Sequence, residues 1–151
     1  MEPSMYRQIA WAIFTQAQES GGGTSSNIAQ KSVKALTEGK QNKRNLIEPV
    51  LEFALLHERR LTQNEAEEIL LCLIAFDLYT IAGKQKITSP NTDLDLDAYL
   101  LIFSLRHHDR NKKHQIGACL GLLSKHYGLG FTPNDAQHLL NKLIYLISQP
   151  T

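Results

Sequence analysis

The amino-acid sequence predicts an all-α fold, a compact bundle of about seven helices in one domain. Of the 151 residues, 42% are hydrophobic, and apolar side chains recur at helical spacing along the whole chain. No segment alternates apolar and polar residues as a half-buried strand does. A chain of this length is typical of one domain and can bury one core. We expect one domain over 1–151, with sub-bundles over 1–82 and 92–151 as an alternative subdivision.

Start and stop signals set the bounds of the predicted helices. In chain order, these helices cover residues 3–19, 25–39, 45–59, 62–83, 93–108, 110–127 and 132–147.

Polar residues mark the starts of four of these helices. The segments Thr62–Glu65 and Thr132–Asp135 are typical capping boxes, and Asn45–Glu48 is a weaker version without the usual Ser or Thr. Either Ser25 or Ser26 is expected to cap the second helix. Asp135 is therefore interpreted as a carboxylate at a helix start.

Glycines mark the breaks between helices. Residues 21–23 are three consecutive glycines, and they favour a linker because the GxxxxGK[ST] pattern of a phosphate-binding loop is missing. Gly39, Gly83 and either Gly128 or Gly130 are expected to end the second, fourth and sixth helices.

Two helices have distinctive faces. The fourth is apolar almost all round between residues 69 and 81, which predicts the central buried helix. Within it, Asp77 is expected to form a pair or to reach a helix edge. The sixth carries Gly117, Ala118 and Gly121 on one face, where a neighbouring helix could pack closely. Trp11 on the first helix is interpreted as a packing residue, with stacking or partner binding as the alternative.

Residues 47–74 and 116–144 share a pattern of matching residues. The matched pairs include Ile47 with Ile116, His57 with His126, Thr62 with Thr132, and Leu70 with Leu140. The last two pairs have an offset that is larger by one position than that of the first two. Duplication of a helical hairpin explains this pattern, and a chance likeness between capped amphipathic hairpins explains it equally well.

The charge is nearly balanced overall but unevenly distributed. The chain has 16 Lys and Arg, 15 Asp and Glu, and a formal net charge of +1. Residues 1–60 carry +2, residues 61–105 carry −5 and residues 106–151 carry +4. Two basic ends therefore flank an acidic middle, so the near-zero total does not exclude a polyanionic partner.

The cellular setting follows from what the chain contains. Cys72 and Cys119 lie singly in apolar segments, which favours a reducing, cytoplasmic location. Glu2 and Pro3 follow the first residue instead of a basic stretch, so no signal peptide is expected. No apolar run is long enough for a membrane span, and no membrane partner is predicted.

Catalytic and metal sites find little support in the sequence. His57, the pair His108-Asp109 and Asp135 imitate the order of a metal-dependent HD-type phosphohydrolase, which we keep as a remote alternative. The acidic run 91–97 lacks the glycine and the terminal glutamate of a calcium loop, so it is expected to begin a helix. Neither cysteine fits a catalytic Cys-His pair. We predict no catalytic residue, no metal and no cofactor.

Basic clusters are the strongest candidate functional feature. Such residues near helix ends can contact phosphates without reading bases. An alternative is a solvated surface that balances the acidic middle of the chain. The predicted nucleic-acid-binding residues are Lys31, Lys34, Lys40, Lys43, Arg44, Arg106, Arg110, Lys112 and Lys113.

Two N-terminal segments carry a family resemblance. The run Tyr6-Arg7-Gln8-Ile9-Ala10-Trp11 and the turn over residues 21–28, with the basic joints of a small helical bundle, resemble the small subunit of type I CRISPR Cascade complexes. The resemblance lies in the N-terminal part of the chain and has no diagnostic motif.

The resemblance implies a non-catalytic subunit of an antiviral defence complex. Its partners would be other subunits, copies of itself, a guide RNA and the backbone of target DNA. The basic residues would support the target or displaced strand, whereas guide pairing would supply sequence specificity. A helical protein–protein adaptor, with a groove between the repeated hairpins for a partner helix, is the alternative function.

Overall fold

Seven α-helices form most of the described chain. The structure is a computed structural model, and it describes residues 2–38, 41–84, 92–107 and 111–149. The helices are α1 (Pro3–Gln16), α2 (Thr24–Glu38), α3 (Lys43–Leu56), α4 (Gln63–Lys84), α5 (Asp93–His107), α6 (Lys112–Leu122) and α7 (Pro133–Ser148). The all-α bundle predicted from helical spacing is therefore confirmed.

Helix α4 lies at the centre of the bundle. It packs against α1, α3, α5 and α7, and its side chains from Ile69 to Ala75 are all buried. The apolar character of this helix on every side requires such a position, because each face must be covered to leave water. The sequence prediction of a central helix is confirmed.

Both predicted capping boxes are present. The Glu65 backbone N–H donates to Thr62 Oγ1 at 3.2 Å, and the Thr62 N–H donates to Glu65 Oε1 at 2.9 Å. The Asp135 N–H donates to Thr132 Oγ1 at 3.2 Å, and the Thr132 N–H donates to Asp135 Oδ2 at 3.0 Å. Each box satisfies two backbone donors that a helix start would leave unpaired.

The predicted start of α3 at Asn45 is wrong. Asn42 is the N-cap, and its side chain accepts a hydrogen bond from the Arg44 N–H at 3.0 Å. The two asparagines are three residues apart, and the extended backbone of Asn42 selects the earlier one. Consequently Pro49 lies inside α3, where it cannot supply the usual donor to the Asn45 carbonyl.

Other helix bounds differ by a few residues. Helix α1 ends three residues before the expected Glu19, and α2 begins one residue before Ser25. Ser26 points inward instead of capping α2, and its hydroxyl donates to Glu19 Oε2 at 2.9 Å. Helix α4 continues through Gly83. Gly39, the expected end of the second helix, lies outside the described residues.

The predicted sixth helix divides into two parts. Helix α6 ends at Leu122, and one π-helical turn follows at Leu123–Tyr127. This turn directs the Tyr127 ring into the core, where its hydroxyl donates to Asp77 Oδ2 at 2.7 Å. The pairing expected for Asp77 is therefore confirmed. The predicted first residue of this helix, Arg110, lies outside the described residues.

A short parallel pairing joins the two halves of the chain, although the sequence predicts no strand. Strand β1 (Gln41–Asn42) pairs with β2 (Gly128–Leu129), with Gln41 opposite Gly128. Gly128 has a φ of 130°, and an added Cβ would lie 1.3 Å from the Gln41 carbonyl oxygen. Two-residue strands are too short to show an alternating pattern, so periodicity could not reveal them.

The two matching segments of the sequence use the same local devices. Asn42 caps α3 and Asn111 caps α6, with the same offset as Ile47 and Ile116. The two capping boxes, at Thr62 and Thr132, are separated by the larger offset. The same offset separates Glu58 and Gly128, which both have a positive φ. The correspondence therefore extends beyond the residues matched in the sequence, and its origin by duplication stays a prediction.

We predict that Gly128→Ala destabilises the fold by about 2–4 kcal/mol, because the methyl group requires the β1–β2 pairing to separate and the backbone is strained for L residues. Gly117→Ala is the control, since its added methyl meets open space within α6. That substitution should stabilise by about 0.5–1 kcal/mol. Urea denaturation measures both, and equal effects would contradict the close approach at Gly128.

Candidate functional site

The predicted phosphate-binding residues lie in three places. Lys31 and Lys34 are on α2, Lys43 and Arg44 begin α3, and Arg106, Lys112 and Lys113 lie where α5 ends and α6 begins. Lys40 and Arg110 lie outside the described residues.

The two α2 lysines are exposed and paired. Lys31 Nζ lies 3.3 Å from Glu52 Oε1, and Lys34 Nζ lies 3.8 Å from Glu38 Oε1. Exposed ion pairs of this kind contribute between zero and about 1 kcal/mol. A phosphate could therefore replace either glutamate at small cost.

Lys43 occupies a different environment. It is 9% exposed, and its Nζ lies 2.7 Å from Asp135 Oδ2 and 2.9 Å from Glu67 Oε1. Burial lowers the pKa of Lys43, but the two carboxylates outweigh this effect and hold the pKa above its usual value. Lys43 is thus an internal counter-ion, and the phosphate contact predicted for it would require both ion pairs to break. Arg44, the next residue, is exposed.

The third place, which we call the α5–α6 joint, consists of Arg106, Lys112 and Lys113. All three are exposed, and the Arg106 guanidinium lies 5.8 Å from the centre of the Tyr79 ring. Among the described residues, none of the three forms an ion pair. The joint therefore presents positive charge that the described part of the protein leaves uncompensated.

The start of α6 strengthens this positive charge. The Asn111 side chain accepts hydrogen bonds from the Lys113 and His114 N–H groups at 3.1 and 3.3 Å. The first turn contains no acidic residue. Lys112 and Lys113 therefore lie at the positive end of the helix dipole, where cations are unfavourable and anions are favourable.

An open groove of about 340 Å³ runs between α5 and α6. Its lining residues are Asp97, Leu100, Leu101, Ser104, His114, Gln115, Ala118, Gly121, Leu122 and Lys125. Ala118, Gly117 and Gly121 are exposed, and an added Cβ at either glycine would meet no atom within 4 Å. The small-residue face is therefore open to solvent, whereas the sequence predicts a neighbouring helix there.

Of the four residues of the metal-site alternative, the structure describes His57 and Asp135. Asp135 belongs to the capping box and the Lys43 ion pair, and His108 and Asp109 lie outside the described residues. His57 Nε2 lies 3.1 Å from Ser25 Oγ, whose proton goes to Gln16 Oε1 at 2.6 Å. Among the described residues, no group of three His, Cys, Asp or Glu side chains could hold a metal ion.

Both cysteines are buried thiols. Burial raises the pKa of Cys72 to about 11 and that of Cys119 to about 12. Each thiol therefore stays protonated near neutral pH, which is unfavourable for a nucleophile.

Among the described residues, no helix combines the length and apolar character that crossing a bilayer requires.

One ion-pair cluster has no counterpart in the sequence predictions. Asp97 Oδ2 lies 2.7 Å from His126 Nε2 and 3.1 Å from Lys125 Nζ. Burial raises the pKa of Asp97, but these two hydrogen bonds outweigh it and hold the pKa below the usual value. The sequence assigns the acidic run 91–97 to a helix start. It could not reveal Lys125 and His126 as partners of Asp97, because they lie 28 and 29 residues away along the chain.

A second cluster of this kind joins α4 to α7. Glu68 accepts hydrogen bonds from His138 Nδ1 and from Lys142 Nζ. These partners lie on α7, far from Glu68 along the chain, so only the fold brings them together.

Comparisons with known proteins identify no relative. No protein-family model matches the chain, and neither the curated proteins nor the solved structures give a match.

We predict that Lys43→Met destabilises the fold by about 3–5 kcal/mol, because two partly or fully buried carboxylates lose their counter-ion. Arg44→Met is the matched control, since it removes a neighbouring exposed cation and should change stability by less than about 0.5 kcal/mol. Urea denaturation followed by circular dichroism measures both changes. Equal stabilities of the two variants would show that the Lys43 ion pairs contribute nothing.

We predict that Asp77→Asn stabilises the protein at neutral pH by about 0.5–1 kcal/mol. Burial raises the pKa of Asp77, although the hydrogen bond from Tyr127 opposes this change. A raised folded-state pKa favours the neutral carboxyl in the folded protein. The parent protein therefore has its full stability below the ordinary pKa of 3.8 and loses part of it as pH rises through the folded-state value, whereas the Asn variant does not. Asparagine stays neutral and still accepts from Tyr127.

The test of this prediction is thermal unfolding of both proteins across acidic and neutral pH. The difference between them should shrink towards pH 3. Tyr127→Phe, which removes the hydrogen bond to Asp77, should be less stable than the parent protein at every pH. A difference between the Asn variant and the parent that does not vary with pH would contradict the linkage.

Proposed function

We propose that this chain is a non-catalytic helical subunit of a nucleoprotein complex and contacts nucleic-acid phosphates through the α5–α6 joint. In the form that the family resemblance suggests, the complex is an RNA-guided CRISPR Cascade assembly in the cytoplasm. The subunit would support the target or displaced DNA strand, and the guide RNA would supply sequence specificity.

The observation that supports this proposal is the uncompensated charge at the start of α6. Lys112 and Lys113 are exposed and have no ion-pair partner among the described residues. Their position at the positive end of α6 is unfavourable in isolation. A bound phosphate would offset this unfavourable electrostatic energy, since it would contact two ammonium groups and the start of a helix at the same place.

The proposal also accounts for the modest net charge. With a net charge of +1, the whole protein attracts a polyanion only weakly, so contact with a strand depends on the local potential at the joint. Among the described residues, neither Lys112 nor Lys113 lies over an aromatic ring, and base stacking is therefore not part of the proposal. Binding by the isolated chain should be weak, independent of sequence and sensitive to salt.

The test is fluorescence anisotropy of a labelled single-stranded DNA over a salt series. We expect Lys112→Glu/Lys113→Glu to weaken binding and to reduce the slope of log K against log salt by about 1.4, since two phosphate contacts are lost. Arg59→Glu/Arg60→Glu is the charge-matched comparison, because it changes the net charge equally at two exposed cations outside the predicted nucleic-acid-binding residues.

Two results would contradict the proposal. One is absence of binding at low salt by the parent chain and by its native complex. The other is an equal loss of affinity in both double variants, because net charge alone would then explain the binding.

A further inference from the structure

Helix α5 carries an apolar stripe that the described chain does not cover. Leu96, Leu100 and Phe103 are 40%, 51% and 47% exposed. Their spacing of four and three residues places them on one side of the helix. Three large apolar side chains in a row on one helix face are typical of a surface that another helix covers.

Opposite charges lie on one edge of this stripe. Asp95 and Arg106 are eleven residues apart, which is about three helical turns, so both lie on the same side of α5. They lie about 7.5 Å before and about 9 Å after Leu100 along the helix axis, at about 1.5 Å per residue. Among the described residues, neither has an ion-pair partner.

We propose that a second copy of this chain covers the stripe, with the two α5 helices antiparallel about a two-fold axis near Leu100. The stripe of each copy packs against itself, and Asp95 of each copy pairs with Arg106 of the other. One contact surface then serves both copies, as a two-fold dimer requires. This surface does not depend on contact with nucleic acid.

The charge arrangement selects this occupant and this direction. An antiparallel pair brings an acidic start beside a basic end twice, and it also opposes the two helix dipoles. In a parallel pair, each Asp95 would lie at the level of the other copy's Asp95 and about 16.5 Å along the axis from its Arg106, at about 1.5 Å per residue, so neither opposite-charge pair would form. On the other edge of the stripe, Asp97 is already paired with Lys125 and His126, so that edge adds no uncompensated acid to the interface.

The groove beside the stripe gives the second copy room. Leu100 belongs to both the stripe and the groove, and Ala118 and Gly121 form a low wall on the α6 side. Small side chains at a helix surface permit close approach of a neighbouring element. In the dimer, Arg106 of the α5–α6 joint pairs with Asp95 of the other copy, whereas Lys112 and Lys113 stay outside the interface and keep the proposed phosphate contact.

The first test is disulfide crosslinking of the full chain. Leu100→Cys places two cysteines at the two-fold axis, and mild oxidation should give a covalent dimer. Leu55→Cys is the control, because Leu55 is 56% exposed on α3, a helix that packs mainly against α2 and α4. Cys72 and Cys119 are buried and should not react. Equal crosslinking at both positions, or none at position 100, would overturn the proposal.

The second test is a charge exchange measured by sedimentation equilibrium. Asp95→Arg and Arg106→Asp each place like charges together, and each should raise the dimer Kd by about tenfold or more. The double variant restores both pairs in reversed order and should recover the parent Kd. Circular dichroism checks folding. Failure of the double variant to recover would overturn the antiparallel register.

Two further outcomes concern other occupants. A monomeric parent chain at millimolar concentration would overturn the dimer, and a different protein bound at position 100 would assign the stripe to an adaptor function. Lys112→Glu/Lys113→Glu should leave the dimer Kd unchanged while weakening DNA binding. The dimer and the proposed function can therefore fail separately.

Discussion

The structure depends on one buried cation. Lys43 starts α3 and bonds to Glu67 on α4 and to Asp135 at the start of α7. The same Asp135 oxygen accepts from the Thr132 N–H in the capping box. Three helices are thereby fixed at one point, and the β1–β2 pairing lies in the segments adjoining it. The network therefore joins the start of α3, in the first half of the chain, to the start of α7 in the second half.

Features encoded within four or five residues could be predicted from the sequence. The boxes at Thr62 and Thr132 are recognisable because donor, acceptor and spacing all lie in one short segment. The start of α3 is misplaced because Asn42 and Asn45 carry the same local signal. The choice between them depends on β1, whose partner Gly128 lies in the other half of the chain.

The same distinction between local and long-range features applies to the candidate site. The sequence identifies basic clusters, but it could not separate the buried Lys43 from the exposed Lys112, since both follow an asparagine cap. Burial is decided by Glu67 and Asp135, which lie far along the chain. The small residues of α6 are recognisable in the sequence, but the neighbouring helix that could pack against them is not found in the described structure, where their face is exposed.

The long separation of the Lys43 ion pair has a consequence for synthesis. Lys43 and Asp135 are 92 residues apart, and ribosomes add roughly 5–20 residues per second. About 5–20 s therefore pass between translation of the lysine and translation of its buried partner. During that interval Lys43 can pair only with Glu67 inside the α3–α4 hairpin, so the charge balance around the lysine is completed only after the start of α7 has been made.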